Sequence, residues 1–93
     1  MSTQHVLSIL VVALNEAKHV AGLKTALDHL HLPNGWSFET ILIDGGSRDG
    51  TVEAAREAGF DECQVHPGAS IPVCRNHALR AARGTALAFL DGD

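Results

Sequence analysis

Three groups of residues in this 93-residue chain have the types and spacing to do chemistry. Asp44 follows the apolar run Ile41-Leu42-Ile43 and opens the turn Gly45-Gly46-Ser47-Arg48-Asp49-Gly50-Thr51. A carboxylate placed there can accept a hydrogen bond from a pyrimidine imide N–H or a ribose hydroxyl. Gly45 and Gly46 let the backbone approach a ligand or take a positive φ. The same turn can instead spend Asp44 and Ser47 on its own backbone groups. Asp91 and Asp93, separated by Gly92, follow the apolar Phe89-Leu90. Two carboxylates so spaced can share Mg²⁺ or Mn²⁺ with a diphosphate, and their mutual repulsion favours such a cation; a solvated acidic turn is the alternative. Arg75, beside Asn76, offers a guanidinium that could stack on a base or pair with Asp44 or a phosphate. A surface ion pair of little energetic weight is the other reading, and the one preferred for Arg48 and Arg80.

The elements around these residues must bring them together. Leu7 to Ala13 is a nearly continuous apolar, β-branched run, as in a parallel strand covered on both faces. Asn15 suits the N-cap of the next helix, with Glu16 in its first turn, and Val20, Leu23, Leu27 and Leu30 form one apolar stripe. Pro33-Asn34-Gly35 ends that unit, and Trp36 and Phe38 are expected to cover an end of the sheet. A second strand is predicted over 39–43. Asp49 then caps a short helix that turns Val52 and Ala55 inward and stops at a left-handed Gly59. A weaker strand lies near 62–65. Ser70 and Pro72 open a third helix whose small face is Cys74, Ala78 and Ala81 or Ala82, with Gly84 ending it. Thr85 to Leu90 is the fourth strand.

The order β-α-β-α-β-α-β predicts a three-layer α/β/α domain with an open, mainly parallel four-stranded sheet, Rossmann-like in construction. Ligands of such sheets bind at the carboxyl ends of the strands, near a switch in strand order. The first, second and fourth strands end at Asn15, Asp44 and Asp91, where a ligand would sit.

Composition narrows the function. A net charge of −4 with seven Lys and Arg argues against nucleic-acid binding. No apolar run approaches the roughly 20 residues of a membrane span. The start Met1-Ser2-Thr3-Gln4-His5 lacks the features of a signal peptide, so a cytoplasmic location is expected, at the cytoplasmic face of a membrane if the full-length protein docks there. Cys63 and Cys74 form neither a disulfide framework nor a CxxC motif, and the six scattered histidines do not read as a metal set.

Taken together, four segments resemble the family 2 glycosyltransferases, inverting enzymes of the GT-A fold. Val11-Val12-Ala13-Leu14-Asn15-Glu16 resembles the opening strand and its Asn-Glu turn. Ile43 to Thr51 is similar to the D-[DG]-G-S-x-D-G-T signature, the most specific match. Cys74-Arg75-Asn76 through Gly84 resembles the A-R-N…A-x-G helix, and Phe89 to Asp93 the DxD metal motif. The resemblance implies a nucleoside-diphosphate sugar, a UDP-sugar favoured, lying across the strand ends. Ala13, Leu14, Asn15 and Glu16, with Asp44, Gly45, Gly46 and Ser47, would line the nucleotide, Arg75 would lie close to the base, and Asp91 and Gly92 would meet the diphosphate. Asp91 and Asp93 would hold Mn²⁺ or Mg²⁺, and an acceptor glycan or lipid hydroxyl would attack the anomeric carbon.

The chain departs from the family pattern at four positions. Val12 stands where Pro is usual, Leu14 where Tyr is usual, Gly45 for a frequent second Asp and Ala78 for a common Gly. Family members continue past DxD with acceptor-binding strands and the catalytic base. Residues 1–93 are therefore expected to be the donor-binding portion, inactive alone, with an exposed sheet edge open to self-association. A nucleotidyltransferase of similar fold would favour a glycine-rich basic loop after the first strand, and a dinucleotide-binding domain a G-x-G-x-x-G there. The chain has Ala13-Leu14-Asn15-Glu16-Ala17 instead. A non-catalytic nucleotide-binding or self-associating module is the alternative from another class.

Overall fold

The computed structural model describes residues 5–91, with Asp91 as main chain only. The elements run β1 (His5–Ala13), α1 (Ala17–Asp28), β2 (Trp36–Asp44), α2 (Thr51–Ala58), β3 (Glu62–Val65), α3 (Ile71–Ala81) and β4 (Ala86–Asp91). The four strands form one sheet in the order β3-β2-β1-β4, and every pairing is parallel. The chain steps outward from β1 to β2 to β3, then crosses back to place β4 on the other side of β1. The switch in strand order therefore lies between β1 and β4.

Alternation along the central strands explains the layers. Ile9, Val11 and Ala13 of β1 join Leu42 of β2 in a buried cluster closed by Val20 and Leu27 of α1 and Ala55 of α2. Leu10, Ile41 and Ile43 point to the other face and meet Cys74 and Ala78 of α3. Both faces of β1 and β2 are thus covered, which is why their sequences read as unbroken apolar runs. Leu10 and Leu42 are completely buried. Truncating either to Ala should cost about 2–5 kcal/mol through lost transfer energy and the cavity left behind.

The amino ends of the strands carry their own lock. Ser8, buried in β1, donates to Glu39 Oε2 at 2.6 Å and accepts the Gly84 N–H at 2.8 Å. The same Glu39 oxygen accepts the Arg83 N–H at 2.7 Å. A side chain at Gly84 would drive its Cβ into the Val6 carbonyl oxygen and to 2.9 Å from the Ser8 nitrogen. Gly84 is thus a point of close backbone approach. It does not terminate the helix, which ends at Ala81 with Ala82 as its C-cap.

Several expected details differ. The N-cap of α1 is Glu16, which makes no side-chain capping bond and lies outside the first turn; Asn15 sits at φ 55°. The α1 helix stops before Leu30, which is exposed. Trp36 and Phe38 belong to β2, paired with His5 and Leu7, and do not cover a sheet end; Trp36 also stacks on His5 at 4.8 Å. The N-cap of α2 is the left-handed Gly50, and Asp49 one residue earlier accepts the first helical N–H, that of Thr51. Gly59 is the left-handed C-cap expected, and Ser70 accepts the Val73 N–H at the start of α3.

Candidate functional site

Register places the carboxyl ends of three strands side by side. Ala13 pairs with Asp44, Val12 with Asp91, and Asp44 with Val65. At a strand spacing of about 4.8 Å, the main chains of Asp44 and Asp91 flank β1 roughly 10 Å apart. The switch in strand order between β1 and β4, where open α/β sheets place ligands, lies beside these strand ends.

The acidic turn is built from inside. Asp44 is buried, and its Oδ2 accepts the N–H groups of Gly46 at 2.9 Å and Ser47 at 2.6 Å. Its Oδ1 accepts the Ser47 hydroxyl. Gly46 takes φ 108°, and a Cβ there would meet the Pro67 Cα at 3.1 Å, so only glycine fits without strain. Gly45 donates to the Ala13 carbonyl at 3.1 Å, which ties the turn back to β1. Asp44 thus organises the turn.

The remaining polar residues of the turn reach across to the β1–α1 connection. Ser47 Oγ accepts the Asn15 N–H at 2.6 Å, and Asn15 Oδ1 accepts the Arg48 N–H at 2.9 Å. Thr51 Oγ1 accepts the Glu16 N–H at 2.9 Å and donates to Asp49 Oδ1 at 2.5 Å. Asp49 Oδ1 also accepts the Thr51 N–H, and Oδ2 takes the Ala17 N–H at 3.1 Å. Asp49 therefore satisfies an otherwise orphaned amide at the start of α1 from a loop 32 residues away. The Thr51 hydroxyl bond holds the Asp49 carboxyl below its ordinary value, with the Ala17 and Thr51 amides adding to the effect against a smaller opposing desolvation. The importance of Asp49 and Thr51 to α1 is nonlocal and was missed in the sequence. An acidic residue two before a buried Thr was the available signal.

What this web leaves facing outward differs from what holds it together. Leu14 is 57% exposed and lies beside Gly45, with a Gly45 Cβ position 3.9 Å from its Cδ1 and 3.3 Å from the Ala69 carbonyl oxygen. Arg75 on α3 is exposed, its guanidinium carbon 6.0 Å from the centre of the Phe89 ring. The 66–70 segment closes the other side, with His66 N–H donating to the Asp44 carbonyl at 2.8 Å and Gly68 N–H to that of Gly45 at 3.0 Å. Cys74 lies beneath, buried; desolvation first, and the Asp44 charge second, push its thiol up. Ala13, Leu14, Asn15, Glu16, Asp44, Gly45, Gly46 and Ser47 are gathered at one end of the sheet, with the backbone of Asp91 across β1. The Asp91 side chain, Gly92 and Asp93, and with them the proposed metal ligands, lie outside the described residues. Among the described residues no group of three or more His, Cys, Asp or Glu is placed to hold a metal ion, and no helix is long and apolar enough to cross a membrane.

Fold and site together define a parallel α/β domain whose strand order switches between β1 and β4, with two tightly tied βα loops beside that switch. Residues 8–93 match the model of Glycosyl transferase family 2. The chain belongs to that family, as the four sequence motifs implied. It is 30% identical to glycosyltransferase AglE of Haloferax volcanii over 99% of its own length. A mycobacterial protein of known crystal structure superimposes on 96% of the chain with a TM-score of 0.79 and 25% identity. The chain spans about a third of each relative, 32% of the first and 31% of the second.

Proposed function

We propose that these residues bind the donor of a metal-dependent, inverting glycosyl transfer from a nucleoside-diphosphate sugar, with UDP the favoured nucleotide. The observation that supports this most directly is the pair of cross-tied loops after β1 and β2, which gives a family 2 chain a tied rim beside the switch point. The exposed Leu14 offers the base an apolar wall, and Arg75 approaches it from α3. Asp91 and Asp93 would hold Mn²⁺ or Mg²⁺, which would supply positive charge to offset the negative charge developing on the departing diphosphate. The acceptor hydroxyl attacks the anomeric carbon from the face opposite the leaving group while a carboxylate base takes its proton. Donor binding is the role assigned to residues 1–93, and no residue among them is assigned as that base.

The test is a UDP titration followed by amide NMR, with and without Mn²⁺. Shifts should cluster at 13–16, 44–47 and 75, and strengthen with Mn²⁺. Asp93→Asn should remove the Mn²⁺ enhancement and leave the shifts near Leu14 and Arg75 in place. A well-folded sample with no shifts, or shifts confined to the amino ends of the strands, would refute the reading. Asp44→Ala is a poor control, because it dismantles the turn.

A further inference from the structure

His66 and His77 stand apart from the chemistry above, yet they touch its support. Their rings stack nearly parallel, with centroids 3.5 Å apart and planes inclined by 5°. His66 closes β3, and its Nε2 lies 2.8 Å from Gln64 Oε1, while Gln64 gives its amide N–H to Glu62. That relay makes His66 the donor at Nε2, leaving Nδ1 to take up a proton. Residues 66–70 in turn buttress the acidic turn through the His66–Asp44 and Gly68–Gly45 backbone bonds, with Pro67 packed under Gly46. The stack therefore ties the floor of the candidate site to α3.

We propose that the His66–His77 stack is a proton-sensitive latch, closed when the rings carry at most one proton and opened when both are charged. Two imidazolium ions face to face at this distance repel each other, whereas neutral or singly charged rings attract. The groups facing the pair are Glu62 of β3 through Gln64, Arg80 of α3 beside His77, and the carbonyl oxygen of Asp44 on β2. Desolvation chiefly, then His66 and Arg80, hold His77 below its ordinary value of 6.5. A lowered folded value means that the native contact is complete above the unfolded value and weakens as pH falls below it. The latch thus loosens on the acid side of 6.5. Its consequence for donor binding rests on the function proposed above, but the latch itself can be read without ligand.

Hydrogen exchange of the full chain tests it, each rate corrected for the intrinsic effect of pH and compared with core amides of β1. Between pH 7.5 and 5.5, protection of the His66 and Gly68 amides should fall severalfold relative to those core amides, because protonation of both rings favours the open state. His77→Phe keeps an aromatic partner without a titrating group and should abolish that fall. A native chain whose loop protection is constant over this range, or a His77→Phe chain that loses it equally, overturns the proposal. If His77→Phe does not fold, ring-proton titration of the native chain decides. Coupled two-step titration of both rings with parallel shifts at 66–70 supports the latch, and independent titration with unmoved loop amides overturns it. Failure of the UDP titration leaves these readouts intact, so the two proposals fail separately.

Discussion

Removing one oxygen atom from the loop web gives its sharpest test. Thr51→Val preserves the shape of a fully buried side chain at the start of α2. It deletes the hydroxyl that accepts the Glu16 N–H at 2.9 Å and donates to Asp49. A typical intramolecular hydrogen bond contributes about 1 kcal/mol net, and the Glu16 N–H is only partly buried, so a loss of about 1–2 kcal/mol is expected. That is a large part of the roughly 5–14 kcal/mol available to a domain of this size. Urea unfolding at pH 7 measures it, with an unchanged m-value showing that the compactness of both states is preserved. A second signature lies on the acid side. Asp49 titrates below its ordinary value of 3.8 mainly because of Thr51, so its stabilising share is complete above that value and is lost as pH falls through the lowered folded value. Thr51→Val should bring the carboxyl back toward its ordinary value and flatten the stability loss on the acid side of pH 3.8. A stability change below about 0.5 kcal/mol with an unaltered acid limb would refute the claim that the web holds the loops.

Two further outcomes follow from the same structure. Gly84→Ala pushes a methyl group into the Val6 carbonyl and the Ser8 backbone, and should cost about 3 kcal/mol or more by parting β1 from β4. Thermal unfolding reads it, and an unchanged midpoint would mean that the strands have room to shift. Leu14→Tyr places an aromatic ring on the exposed wall beside Gly45, where base stacking is worth about 1–3 kcal/mol. UDP affinity by calorimetry should rise about fivefold or more, and no gain would place the base elsewhere.

The fold was legible because its signals are local and agree with one another. Apolar runs mark β1 and β2, left-handed Gly59 closes α2, and Ser70 with Pro72 opens α3 at the expected residue. The errors arise where distant residues compete with local preference. Asn15 is a good N-cap by type, yet its side chain is drawn to the Arg48 amide 33 residues away, and the cap moves to Glu16. Asp49 reads as the cap of its own helix and instead also serves α1. Trp36 and Phe38 alternate as a cover would, but register with His5 and Leu7 draws them into β2. The acidic turn begins where the sequence put it, at the end of β2. That Asp44 would be buried and consumed by it depends on the packing of Pro67 and Gly68, which no spacing within the turn reveals.

The strand order also has a consequence for synthesis. As the chain emerges, β1 and β2 can pair as soon as Asp44 is available, but the other edge of β1 must wait for residues 86–91. About 40 residues separate those events, roughly 2–8 s at ordinary elongation rates. For that interval the apolar strand β1 stands with one edge of its backbone unpaired. The nascent domain is therefore most exposed to wrong pairing just before β4 appears. Slow codons between Ala58 and Gly84 should lower its soluble yield more than the same codons placed before β2.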